Sequence, residues 1–261
     1  MGTARNRGIS IHFEVEGHGP ALLLHTGAGG DLRIWRDAGY VAGLSGFRTI
    51  LMDQRGRGES DRPTHVEDHA MERYAEDVGA VLDEAGVDTA GFWGYSNGFH
   101  VGLAFGAMFP NRLRALVGTG AASFLDLDGL PPIPDPVKFM EEVVARGGVR
   151  ADVDAFERRE ADRFPDPIDR NVRATDPYQG ALRIVAWRGW NGPRSRLGST
   201  RAPVLLVVGE KEDLDGSSDQ VARALPDGRK VQVPGVGHLG AFYRSDLALP
   251  IALPFLRDHL G

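Results

Sequence analysis

Residues 92–100 read Phe-Trp-Gly-Tyr-Ser-Asn-Gly-Phe-His, and the segment Gly94-Tyr95-Ser96-Asn97-Gly98 limits the fold more than any other stretch. It follows an apolar run, Thr89 to Trp93, and precedes a helix-like run, Val101 to Met108. A strand that reverses into a helix over so few residues strains the backbone of its turn residue. The flanking glycines remove Cβ atoms that would collide there. The hydroxyl of Ser96 is left exposed at the turn, and the helix aims its N-terminal amides at any negative charge that develops beside it. Ser96 is therefore a candidate nucleophile.

Short apolar runs alternate with helical patterns through the first 120 residues, the rhythm of a parallel sheet with crossover helices. Ile9–Val15 alternates as an early antiparallel strand. Ala21–Leu24, Phe47–Met52, Thr89–Trp93 and Ala115–Val117 read as further strands, and Met71–Ala85 as a helix. Strand signals then thin out from about 122 to 201, where Pro131–Pro136 reads as a linker and 137–146, 151–162 and 178–190 as helices. The pattern resumes with strand Ala202–Val208, helix 218–225, strand Lys230–Val233 and a last helix Leu247–Leu260. The expected organisation is an α/β domain over 1–121 and 201–261, interrupted by a helical insertion over 122–200.

A net charge of −6 argues against a nucleic-acid binder. The chain has no cysteine, so disulfides, thiolate metal sites and a cysteine nucleophile are excluded. The first residues lack the apolar stretch of a secretory signal, and no run approaches a membrane span. A cytoplasmic protein acting on a small molecule is expected, with neither nucleic acid nor membrane as partner; the sequence leaves its oligomeric state open.

A serine nucleophile needs a base, and the base an orienting acid. Of the eight histidines, His238 stands out. It lies in the turn Pro234-Gly235-Val236-Gly237-His238-Leu239-Gly240, just past the last strand, where sites in such sheets gather. His12 and His18 belong to the early hairpin and His259 to the last helix, while His100 sits a turn beyond Ser96 and points away. His65 and His69 have metal-ligand spacing, but the segment lacks a zinc-protease pattern and reads as a solvated loop or helix start. For the acid, the strand ending at Val208 runs into Gly209-Glu210-Lys211-Glu212-Asp213.

These motifs, in this order, resemble the α/β-hydrolase superfamily, in particular a serine-nucleophile, carboxylesterase-like member with a helical cap inserted after the sixth strand. The resemblance implies a mostly parallel, twisted sheet flanked by helices. It pairs His25-Thr26-Gly27 with the oxyanion segment and Asp53–Ser60 with a structural loop. It places the oxyanion donors at the N–H groups of Gly27 and Asn97. The family's acid falls three residues after the strand-ending glycine, which favours Glu212, with the adjacent Asp213 as the alternative. Thr26 replaces a usual glycine, and Phe99 replaces another, narrowing the pocket or tightening helix packing.

Dehalogenases and epoxide hydrolases of this superfamily use aspartate at the elbow, so Ser96 implies acyl transfer to water without metal or organic cofactor. An ester or lactone of a small, fairly apolar acid is the expected substrate. Two alternatives stand. One is carbon–carbon bond hydrolysis, with Arg183, Arg188 or Arg194 gripping a carboxylate; the other is a non-enzymatic small-ligand receptor. The insertion carries Phe139, Phe156, Phe164, Tyr178, Trp187 and Trp190, and at least one of the two tryptophans is expected in a pocket with Thr26 and Tyr95.

Overall fold

Neighbouring residues on a strand point to opposite faces, and this chain places large apolar side chains on both. The computed structural model describes residues 1–121, 133–188, 190 and 197–261. Its strands are β1 (Gly2–Asn6), β2 (Ile9–Glu16), β3 (Ala21–His25), β4 (Arg48–Met52), β5 (Ala90–Tyr95), β6 (Leu113–Thr119), β7 (Val204–Gly209) and β8 (Gly228–Val233). They form one sheet in the order β1-β2-β4-β3-β5-β6-β7-β8. Only the β1–β2 and β2–β4 pairings are antiparallel. Every residue of β5 and β7 is buried, as strands covered on both faces require.

The helices sort onto the two faces. On one, α3 (Met71–Glu84) and α4 (Asn97–Met108) cover Leu23, Phe92, Leu116 and Leu206. The apolar stripe of α3, Tyr74, Val78, Val81 and Leu82, has the spacing of one helical face. On the other face, α1 (Arg33–Asp37), α2 (Tyr40–Gly43), α10 (Gly240–Tyr243) and α11 (Ser245–Leu260) cover Leu24, Trp93, Val117 and Leu205. Each large side chain so removed from water contributes roughly 1.5–3 kcal/mol. α9 (Ser217–Ala224) connects β7 to β8.

Between β6 and β7 the described residues hold α5 (Pro136–Ala145), α6 (Val149–Glu160), α7 (Asp166–Arg173) and α8 (Pro177–Arg188). The start of α5 follows from local chemistry: Asp135 accepts the Lys138 N–H at 3.0 Å, and Pro136, whose missing N–H would be unpaired anyway, fills the first turn. Part of the expected proline linker, Pro131 and Pro132, lies outside the described residues, and Pro136 is already helical. The sequence pattern signals neither β1 nor α7. α7 is mostly polar; Ile168 and Val172, one turn apart, are its buried apolar side chains, and Asn171 ties it to Asp31 by two hydrogen bonds of 3.0 and 2.9 Å.

Candidate active site

Ser96 has φ 52° and ψ −120°, a left-handed backbone that costs a non-glycine residue about 1–3 kcal/mol. The surroundings hold it there. Its N–H donates to Thr119 O of β6 at 2.8 Å, and its carbonyl accepts from Phe99 N at 2.9 Å. A Cβ on Gly94 would collide with the Gly98 carbonyl carbon, and one on Gly98 would lie 2.5 Å from His25 O. The two glycines are thus demanded by backbones that cross. Asn97 opens α4, so its N–H has no carbonyl one turn back to accept it. Gly27 is close on the other side: a Cβ there would lie 3.0 Å from the Ser96 Cβ.

His238 follows β8 and meets Glu212 from the neighbouring β7 loop, Nδ1 to Oε2 at 2.9 Å. A carboxylate only accepts, so Nδ1 carries the proton and Nε2 is the nitrogen available to a serine hydroxyl. Glu212 Oε1 accepts the Gly209 N–H at 2.7 Å, which aims the carboxylate at the ring. Both side chains are buried. Asp213 turns the other way, accepting from Ser218 N at 3.1 Å, from the Ser218 hydroxyl and from Lys230 Nζ at 2.8 Å. Burial opposes the charge, but the Lys230 and Ser218 hydrogen bonds outweigh it and hold the Asp213 carboxyl below its ordinary value. Of the two carboxylates expected from sequence, the structure brings Glu212 to the imidazole and seats Asp213 at the start of α9.

Ser96 and His238 line one cavity of about 300 Å³ with Tyr95, Asn97, Arg183 and Trp187. The His238 ring is stacked by Phe156 at 4.4 Å and 15°, with Tyr95 tilted against it at 5.3 Å. A strained serine at a strand-to-helix elbow and a carboxylate-oriented histidine past another strand end thus share one cavity at the edge of the sheet.

Residues 20–245 match the sequence profile of the α/β hydrolase fold. The chain belongs to the α/β-hydrolase fold family. It is 27% identical to the 2-(acetamidomethylene)succinate hydrolase of Mesorhizobium japonicum over 88% of this chain and 85% of that protein. It is 30% identical to mouse bifunctional epoxide hydrolase 2 over 52% of this chain, a match spanning only 24% of that longer protein. Its fold is similar to that of a thermophilic esterase from Thermogutta terrifontis in a malate-bound structure. The TM-score is 0.82 at 23% identity, over 99% of this chain and 97% of that one.

Two departures from the hydrolase-fold pattern have structural outcomes. Phe99 does not line the cavity; its ring fills the space a Cβ on Gly118 would need, tightening α4 against β6. Thr26 does not line it either. Its hydroxyl accepts from Gln54 Nε2 at 3.0 Å, and the same amide donates to Gly27 O at 2.6 Å, tying this segment to the loop after β4. That loop is organised by Asp53, which accepts from Leu32 N at 2.8 Å, Glu59 N at 2.9 Å and His12 Nδ1 at 3.0 Å. Trp187 lines the cavity, whereas Trp190 packs in the core beside it, with Leu197. His69 is a correction. It is fully buried, with Nδ1 on Tyr74 OH at 3.0 Å and Nε2 on Pro63 O at 3.1 Å, while its supposed partner His65 is exposed. Burial pushes its pKa down to about 4. Arg194 lies outside the described residues.

Two residues of this hydrolase-fold site escape a reading of the sequence. Glu160, the last residue of α6, accepts the His238 N–H at 2.5 Å. Asp162 accepts from Gly237 N at 2.9 Å, Gly240 N at 2.8 Å and Tyr243 OH at 2.6 Å. A Cβ on Gly237 would collide with Glu160 Oε2, and one on Gly240 with Asp162 Oδ2. The glycines around His238 are the trace these inserted carboxylates leave in the sequence.

Proposed function

We propose that the protein is a serine hydrolase that cleaves an ester or lactone of a small, fairly apolar substrate through an acyl-enzyme on Ser96. The observation that carries this reading is the His238–Glu212 pair at 2.9 Å, set in one cavity with a serine held at φ 52°. His238 Nε2 takes the Ser96 proton as Oγ attacks the carbonyl carbon, and Glu212 stabilises the imidazolium. The N–H groups of Gly27 and Asn97 receive the oxyanion. The alcohol leaves with the proton from His238, and water, activated by the same histidine, releases the acid. Val153, Phe164, Val172, Ile184 and Leu239 line the cavity and favour apolar substrate surface. They come largely from the helices between β6 and β7, which we take as a cap over 122–200. The hydrolase activity named for the Mesorhizobium relative supports the same class of reaction.

A series of p-nitrophenyl esters of increasing acyl length tests this. The protein is expected to turn over the short members, and a folded Ser96→Ala variant to lose about 10⁴-fold or more in kcat. Retention of most activity by that variant overturns the mechanism. Absence of turnover with every ester favours the receptor reading.

A further inference from the structure

The cavity holds a charge that hydrolysis at Ser96 does not use. Arg183 of α8 is buried and lines the same cavity as Ser96 and His238. Its guanidinium lies over the Trp187 ring, 5.2 Å from the centroid. Nη1 and Nη2 reach the Asn97 side-chain oxygen at 2.8 and 3.2 Å when that amide is turned to accept them. Nε is buried with no hydrogen-bond partner, and no carboxylate among the described residues pairs with the group. A guanidinium taken out of water is costly unless an anion compensates it, and one neutral amide oxygen is a poor substitute.

The other charges at the cavity leave the guanidinium open. Asp152 lines it too, but forms no ion pair with Arg183, and burial raises its carboxyl above the ordinary value. Arg188 also lines it, with its guanidinium 5.7 Å from the Phe139 ring centroid. Arg57, His25, His69 and His100 lie within electrostatic reach of Arg183. Burial lowers the pKa of each histidine to about 4, so these rings are neutral near pH 7 and no imidazole compensates the guanidinium. Cationic groups outnumber the single acid around an otherwise apolar chamber. Such a group in such a place fits a ligand anion.

We propose that Arg183 binds a carboxylate carried by the substrate, so that the ester or lactone cleaved at Ser96 bears a free carboxylate away from its scissile carbonyl. This rests on the serine-hydrolase reading above. The carboxylate is a spectator: the Oγ–acyl bond forms as the ester C–O bond breaks, water then breaks the acyl bond, and the charged group stays on Arg183 throughout. Because Arg183 also holds the side chain of Asn97, the residue whose amide faces the oxyanion, a seated carboxylate stiffens that end of α4 as well.

Two esters of matched length test the proposal, monomethyl glutarate and methyl pentanoate. At low salt the wild-type protein is expected to favour the former by about tenfold or more in kcat/KM. Arg183→Gln is expected to abolish that preference, mainly through KM. Equal use of the two esters by the wild type, or an equal loss on both in Arg183→Gln, overturns it; the second result assigns Arg183 to Asn97 alone. Should neither ester turn over, the Ser96 reading is what fails. Calorimetric binding of glutarate to the Ser96→Ala protein then decides on Arg183. Tenfold weaker binding after adding Arg183→Gln supports the site, and unchanged binding refutes it. If Arg183→Gln does not fold, Asp152→Asn replaces it as the test, since removing the competing acid must tighten glutarate binding; unchanged or weaker binding contradicts the proposal.

Discussion

The site has two halves, and they were built by different physics. One half is the edge of the sheet: Ser96 at the end of β5, Glu212 past β7 and His238 past β8. The other is the segment between β6 and β7: Phe156 and Glu160 of α6, Asp162 just past it, and Arg183 and Trp187 of α8. The sheet edge is fixed by backbone. Ser96 is bonded to Thr119 O and Glu212 to Gly209 N, so each group is aimed by a strand end that the core itself holds. The inserted half is held by side chains that reach across the gap. In the proposed function, chemistry resides in the half aimed by backbone, while alignment and choice of substrate reside in the half held by side chains.

The largest expected effect lies within the sheet-edge half. Glu212→Gln should lower kcat by up to ~10⁴, because the imidazole loses its orienting acid, whereas Asp213→Asn should cost activity little. Asp213 should show instead in stability. Its folded-state carboxyl is held below the ordinary value, so its contribution is present above the unfolded carboxylate range and lost as pH falls through the lowered value. The Tm difference between Asp213→Asn and wild type should accordingly shrink in acid. A large kcat loss in Asp213→Asn with a mild one in Glu212→Gln would reverse the assignment.

The next test crosses the gap. If Glu160 and Asp162 align His238 from the insertion, Glu160→Gln and Asp162→Asn should each lower kcat by about 10- to 100-fold, the worth of a charge-assisted hydrogen bond, with KM far less affected. A fall in Tm with kcat intact would make them structural struts only. The smallest effect belongs to Trp187. Trp187→Ala should shift the relative kcat/KM of short and bulky esters by about 1–3 kcal/mol, and an unchanged profile would remove it from substrate selection.

The same division sets what the sequence discloses. The elbow is legible because glycine, serine and glycine at fixed offsets are a local consequence of crossing backbones, and the central strands follow from apolar runs, which β1 lacks. Glu212 is favoured over Asp213 by family register alone, because which of two adjacent carboxylates faces a histidine depends on loop backbone that no periodicity encodes. Glu160 and Asp162 are invisible as partners: one ends a polar helix and the other lies two residues past it, 75 to 78 positions from the amides whose protons they accept. Only the glycines at 237 and 240 hint that something approaches closely there. His69 misleads for the opposite reason. Its neighbours Glu67 and Asp68 are polar, but Tyr74 on the next helix draws it into the interior.

In the proposed mechanism Ser96 becomes covalently acylated during turnover. Rapid acid quench of the protein with a p-nitrophenyl ester, followed by intact-mass and peptide-mass measurement, reads this directly. A burst of p-nitrophenol near one equivalent and an acyl mass increment confined to the peptide that contains Ser96 are expected. Steady hydrolysis with no burst and no adduct at Ser96, or an adduct on another residue, would contradict that mechanism.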